Sequence, residues 1–150
     1  MQWEAQELDA EETLRKVKLF EGLRPKQIKT LSKWATRRHF QQDQAIVTQG
    51  QLGVGLYCIE SGKVRVTLNT PGGPYELREM GVGEAFGELA LLDDKPRSAT
   101  VIAIEPTTTL VLDKAQFLAE LRTYPEIGLA LLPVLVQWIR DADEKLAESL

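Results

Sequence analysis

Gly87, Glu88 and Arg97 stand close together in the chain and, with Pro96 and Ser98, could act on one small anion. A glycine lets a ligand approach the main chain with no Cβ in the way. The run Leu89-Ala90-Leu91-Leu92 reads as a short helix, whose first amides are donors open to an anion. Arg97 adds a fixed positive charge, and Pro96 stiffens its approach. An ionised Glu88 can only accept hydrogen bonds, so beside an anion it must face a hydroxyl. A phosphate next to a sugar hydroxyl satisfies both residues, and a flat apolar base suits the neighbours. The chemistry that uses every feature is a cyclic mononucleotide. Each residue also has a plainer reading: Arg97 as a solvated loop arginine, Glu88 as a carboxylate on a helix dipole, Gly87 as a turn glycine and Ser98 as a strand-edge serine.

Such a site needs elements to hold it. Leu8, Leu14, Val17, Leu19 and Leu23 form a helical pattern that stops near Gly22, and Pro25 suits the first turn of a second helix. There Ile28, Leu31 and Ala35 share one face while Lys26, Lys29 and Lys33 face water. From residue 38 the period changes to short runs rich in Val, Ile, Tyr and Thr, divided by glycines and by Pro71-Gly72-Gly73-Pro74. Their spacing predicts a sandwich or barrel, and Lys63-Val64-Arg65-Val66-Thr67-Leu68 alternates as a strand with one buried face. Helix returns with Lys114, and Pro125 opens a long one towards Leu150, with Pro133 predicted to bend it. Its apolar residues make two rows: Leu131, Leu135, Trp138, Ala142, Leu146 and Leu150, and then Leu132, Val136 and Ile139. One row is expected on the barrel and the other on a partner or ligand.

Composition narrows the function. A chain of 150 residues with 43% hydrophobic and 27% charged side chains has the material for one folded domain. A net charge of −4 offers no broad basic surface for a nucleic-acid backbone, so no direct DNA binding by this chain is expected. The apolar run 127–139 contains Pro133 and Gln137 and is too short to span a bilayer, so no membrane partner is expected. One cysteine, Cys58, and one histidine, His39, make neither a disulfide framework nor a metal site, and a cytoplasmic location fits. No third residue completes a hydrolase from these two, and Gly81-Val82-Gly83 lacks the later glycine of a dinucleotide fingerprint. No enzyme activity, catalytic residue, metal or cofactor is expected.

The string Phe86-Gly87-Glu88-Leu89-Ala90-Leu91-Leu92, followed by Pro96-Arg97-Ser98-Ala99-Thr100-Val101, resembles the phosphate-binding cassette of cyclic nucleotide-binding domains. That family includes the catabolite activator protein, protein kinase A regulatory subunits and cyclic nucleotide-gated channels. Leu19-Phe20-Glu21-Gly22-Leu23 is similar to its opening helix, and Leu56-Tyr57-Cys58-Ile59-Glu60-Ser61-Gly62-Lys63-Val64 to its central hairpin. The resemblance implies that Glu88 accepts from the ribose 2′-hydroxyl and that Arg97 pairs with the cyclic phosphate of cAMP or cGMP. It implies a pocket of Phe86, Gly87, Leu89, Ala90, Ser98 and Ala99, with Val66 and Leu77 against the base. Trp138, Ala142 and Asp143 fall where the family's lid helix covers the base, although a core or dimer role for Trp138 and a solvated Asp143 also fit. Gly53-Val54-Gly55 stands where many relatives carry an acidic residue, and the chain ends before the helix-turn-helix of the catabolite activator group.

The expected fold is mainly β with flanking helices: an eight-stranded, jelly-roll-like β-roll with N-terminal helices and a long C-terminal lid or dimerisation helix. As one domain over 1–150, it would place helices at about 7–36, the roll at about 38–113 with the cassette at 86–101, and helices again at 114–149. The expected function is a cyclic nucleotide receptor whose ligand moves the last helix of a homodimer. The alternatives are a module of the same fold that binds no nucleotide and serves interaction or dimerisation, and the sensory part of a transcription factor, channel or kinase regulator.

Overall fold

The alternation of apolar and polar residues becomes eight strands in the computed structural model, which describes residues 10–53, 55–87 and 91–150. The strands are β1 (Ala35–Phe40), β2 (Ala45–Val47), β3 (Gly55–Ser61), β4 (Val64–Thr70), β5 (Gly73–Met80), β6 (Ala85–Phe86), β7 (Thr100–Ala103) and β8 (Thr107–Asp113). They form two four-stranded antiparallel sheets in the orders β1-β8-β3-β6 and β2-β7-β4-β5. Between them lies a core of Tyr57, Ile59, Val64, Val66, Phe86, Val101 and Val111.

Helical residues come before and after the roll: α1 (residues 10–15), a 3-10 turn (Lys18–Phe20), α2 (Pro25–Ser32), α3 (Lys114–Thr123) and α4 (Pro125–Glu148). Pro25 starts α2 with its φ already set, and the Gln27 side chain accepts from the Arg24 amide at 2.8 Å. Asp113 caps α3 by accepting from the Gln116 amide at 3.2 Å. These helices bury Leu14, Phe20, Ile28, Leu31, Phe117, Ile127 and Leu131 against Leu56, Cys58, Leu110 and Leu112 of β3 and β8. Successive residues of β3 therefore point into different cores, which explains its unbroken burial from Gly55 to Ile59.

One expectation changes. Ala35 does not continue the second helix; it opens β1 opposite Leu112, so the roll begins before residue 38. Helical spacing from Leu31 to Ala35 is outweighed by six ladder pairings of β1 with β8. The long helix runs on through Pro133. Its row of Leu132, Val136 and Ile139 lies exposed, and of the other row only Leu131 is fully buried.

Candidate ligand-binding site

Residues that bind small anions must be held before the anion arrives, and here the holding begins at the end of β6. Phe86 stacks on Tyr57 of β3, with ring centroids 5.2 Å apart and parallel planes. The chain then turns at Gly87, with φ at 91°, a left-handed value that glycine adopts at little cost. A Cβ at Gly87 would strike the Arg97 guanidinium and stand 2.9 Å from the Gly55 carbonyl oxygen. Gly87 thus makes room for Arg97.

Arg97 is 7% exposed. Its Nη2 donates to the Gly55 carbonyl at 2.8 Å, and its guanidinium carbon lies 5.7 Å from the Tyr57 ring centroid. The main chain around it is tied to the loop after β2: the Arg97 amide donates to Gln51 at 2.7 Å, and the Arg97 carbonyl accepts from Gly50 at 2.9 Å. Leu52 and Pro96 form a bridge between the same segments. Where an acidic residue was missed in Gly53-Val54-Gly55, a backbone carbonyl from that segment meets the arginine.

The loop between is fastened at its far side. Lys114 donates to the Asp93 carbonyl and, at 2.8 Å, to the Asp94 carboxylate. The hydrogen bond and the charge of Lys114 hold the Asp94 carboxyl below its ordinary value.

These elements border a cavity of about 260 Å³. Its apolar floor is Val47, Val66 and Val101, and its wall is formed by Phe86, Gly87, Pro96, Arg97, Ser98 and Ala99. The structure thus brings Val66, Phe86, Gly87, Arg97, Ser98 and Ala99 of the expected site together. Glu88, Leu89 and Ala90 lie outside the described residues.

Leu77 does not line the cavity. A bulge opposite Val66 and Thr67 pairs Val66 with Arg78 and Thr67 with Glu76, so Leu77 is the extra residue and is 43% exposed. Arg78 lines the cavity instead, and Asp93 and Lys95 join it from the loop. The lid candidates are also elsewhere. Trp138 packs on the helical core and borders a different cavity of about 500 Å³, beside Lys16, Leu19 and Ala85, while Ala142 and Asp143 are exposed. That larger cavity touches none of Gly87, Arg97 and Ser98.

The profile of the cyclic nucleotide-binding domain matches residues 37–124, which runs from within β1 through α3 and includes the whole cavity. The chain belongs to the cyclic nucleotide-binding domain family. Over 129 residues it is 39% identical to the cyclic AMP receptor protein of Thermus thermophilus, covering 85% of this chain and 60% of that protein. It is 41% identical to a cGMP-dependent protein kinase of Eimeria tenella, over 67% of this chain and 10% of the kinase. The crystal structure of the Thermus thermophilus catabolite activator protein superposes with a TM-score of 0.76 at 38% identity, covering 87% of this chain and 62% of that one. The chain therefore spans about three-fifths of the length of its bacterial relative. Among the described residues, no group of His, Cys, Asp and Glu could hold a metal, and no helix is long and apolar enough to cross a membrane.

Proposed function

We propose that this chain is a receptor domain for a cyclic mononucleotide, cAMP or cGMP, with no catalytic step and no cofactor. Arg97 carries the reading: a buried guanidinium, fixed from behind by Gly55 and Tyr57, that lines a cavity with an apolar floor. In a low-dielectric setting a fixed guanidinium matches a phosphate oxygen pair. The phosphate lies at Arg97, the ribose hydroxyl faces Glu88, and the base rests on Val66 and Val101. Gly87, Ser98 and Ala99 border the sugar and phosphate. The site lies within one domain over 1–150, and the single cysteine, buried and reduced, suits a cytoplasmic protein.

The output is a movement of α4. Trp138, Ala142 and Asp143 lie away from the cavity, so α4 must shift for any of them to cover the base. A ligand that touches both cassette and helix favours that arrangement by population shift. Leu129, Leu132, Val136 and Ile139 are exposed at alternating spacings of three and four, and Leu146 continues the series. This is the spacing of a two-helix seam, which supports a homodimer through α4.

Titration calorimetry with cAMP and cGMP tests the reading, with the native chain beside Arg97→Ala. Micromolar or tighter binding of at least one nucleotide is expected. Loss of the buried cation should weaken it by about 30-fold or more, the cost of leaving one half of a buried charge pair alone. Absence of heat with either nucleotide, from folded and nucleotide-free protein, would overturn it and leave an interaction module of the same fold.

A further inference from the structure

We propose that the cavity of about 500 Å³ beside Trp138 is a second ligand site, for a straight-chain carboxylate whose presence holds α4 in place. Its walls are the aliphatic side chains of Leu19, Leu56, Met80 and Val82, together with the Trp138 indole. The volume lies within the range of about 300–1,000 Å³ that small-molecule sites occupy. Two cations border it, Lys16 just before the 3-10 turn and Lys18 at its first position. Neither side chain makes a hydrogen bond or ion pair among the described residues. The Lys16 stem lies against Gly83, where a Cβ would stand 3.3 Å from the Lys16 Cβ. Glu84, the carboxylate on this border, accepts from the Gly81 amide at 2.9 Å. A guest with one anionic head answers the surplus cation, and a carboxylate has an oxygen for each ammonium. Its body must be hydrocarbon, because aliphatic walls would leave polar atoms on the guest without partners.

The place of the cavity decides what occupation does. The first half of α4 is fixed: Ile127, Leu131 and Val134 are buried, and a Cβ at Gly22 would stand 2.8 Å from the Ala130 carbonyl oxygen. Trp138 is half-buried, and every residue from Ile139 to Leu150 is exposed. The cavity therefore lies at the last contact between α4 and the body of the domain. A guest there adds apolar contact to Trp138 and strengthens that hold. β6 runs between the two cavities, with Ala85 bordering the larger and Phe86 the smaller. On the receptor reading proposed above, α4 must shift to cover the base, so carboxylate and nucleotide oppose each other.

The test is a titration of the nucleotide-free chain with octanoate, decanoate and dodecanoate, beside decan-1-ol and decyltrimethylammonium. Affinity should rise about fourfold for each added methylene, since each buries more apolar surface. Decanoate should bind more tightly than the alcohol or the cation of the same length. The double variant Lys16→Met with Lys18→Met keeps both stems. It should weaken decanoate about fivefold, the worth of two exposed ion pairs, and leave decanol unchanged. Val82→Asp, at an exposed part of the wall, should weaken decanoate at least as much, and both variants are checked for an unchanged melting temperature. Saturating decanoate should raise the dissociation constant of cAMP or cGMP, and the nucleotide should raise that of decanoate by the same factor. No saturable binding of any chain, affinity flat with chain length, or decanol as tight as decanoate would overturn the site. So would binding unmoved by the two lysine changes. Nucleotide affinity indifferent to bound decanoate would overturn the hold on α4. Failure of both nucleotides to bind overturns the receptor reading and the opposition that rests on it, while the decanoate titrations still decide the second site.

Discussion

The sheet β1-β8-β3-β6 carries apolar side chains on both faces of its middle strands, whereas β2-β7-β4-β5 buries only the face turned into the roll. Leu110 and Leu112 of β8 meet the helices while Val111 meets the other sheet. On β5 the residues between Gly73 and Met80 are all exposed. The cavity spans this difference. Arg97 is anchored to β3 through Gly55 and Tyr57, and the floor and Arg78 come from the more open sheet. The guanidinium of Arg97 is thus held by the doubly covered layer, while the floor belongs to the layer with one face exposed.

The largest effect should come from the covered sheet. Leu110→Ala should lower unfolding free energy by about 2–5 kcal/mol, as for other fully buried leucines. Arg65→Ala, on the outer face of β4, should stay within about 0.5 kcal/mol. Urea denaturation of the two variants reads both values, and similar losses would erase the contrast between the sheets.

An intermediate effect is expected where the two sheets' contributions meet. Gly87→Ala must hold a left-handed φ, worth about 1–2 kcal/mol, and its Cβ pushes against the Arg97 guanidinium. Calorimetry should show cAMP and cGMP weakened alike, by roughly tenfold. A loss confined to one nucleotide would show that Gly87 acts on the base and not through the phosphate anchor.

The smallest effect belongs to the exposed clamp on the cassette loop. Because Lys114 lowers the Asp94 carboxyl below its ordinary 3.8, the pair adds stability above that value and loses it as pH falls through the lowered one. Lys114→Met removes the contribution, so the native chain should melt slightly higher than the variant at neutral pH. The two melting temperatures should converge in strong acid. A constant gap across the range would show that the ion pair is not its source.

Most of the fold was legible because strands declare themselves by alternation, as in Val64 and Val66, and helices by starts such as Pro25 and Pro125. Ala35 was misplaced because helical spacing continues for one residue past the point where ladder bonds with β8 take over. The cassette was legible from side chains with distinctive chemistry at fixed spacing. Arg78 was not, because a single bulge shifts the inward phase by one residue and no local pattern announces it. The Gly55 anchor was hidden for a different reason: a carbonyl is common to every residue, and only the fold selects which one meets Arg97.

That anchor has a consequence for how the family member can drift. A side-chain partner can be deleted by one codon change, but a main-chain acceptor survives every substitution that leaves the path of the chain intact. Position 55 itself is confined to glycine, since a Cβ would stand 2.6 Å from the Leu112 carbonyl oxygen. The loop before it, tied to Arg97 through the main-chain groups of Gly50 and Gln51, constrains how many residues it contains more than which ones. Insertions and deletions between β2 and β3, rather than point changes, are therefore the events that would uncouple this arginine from its support.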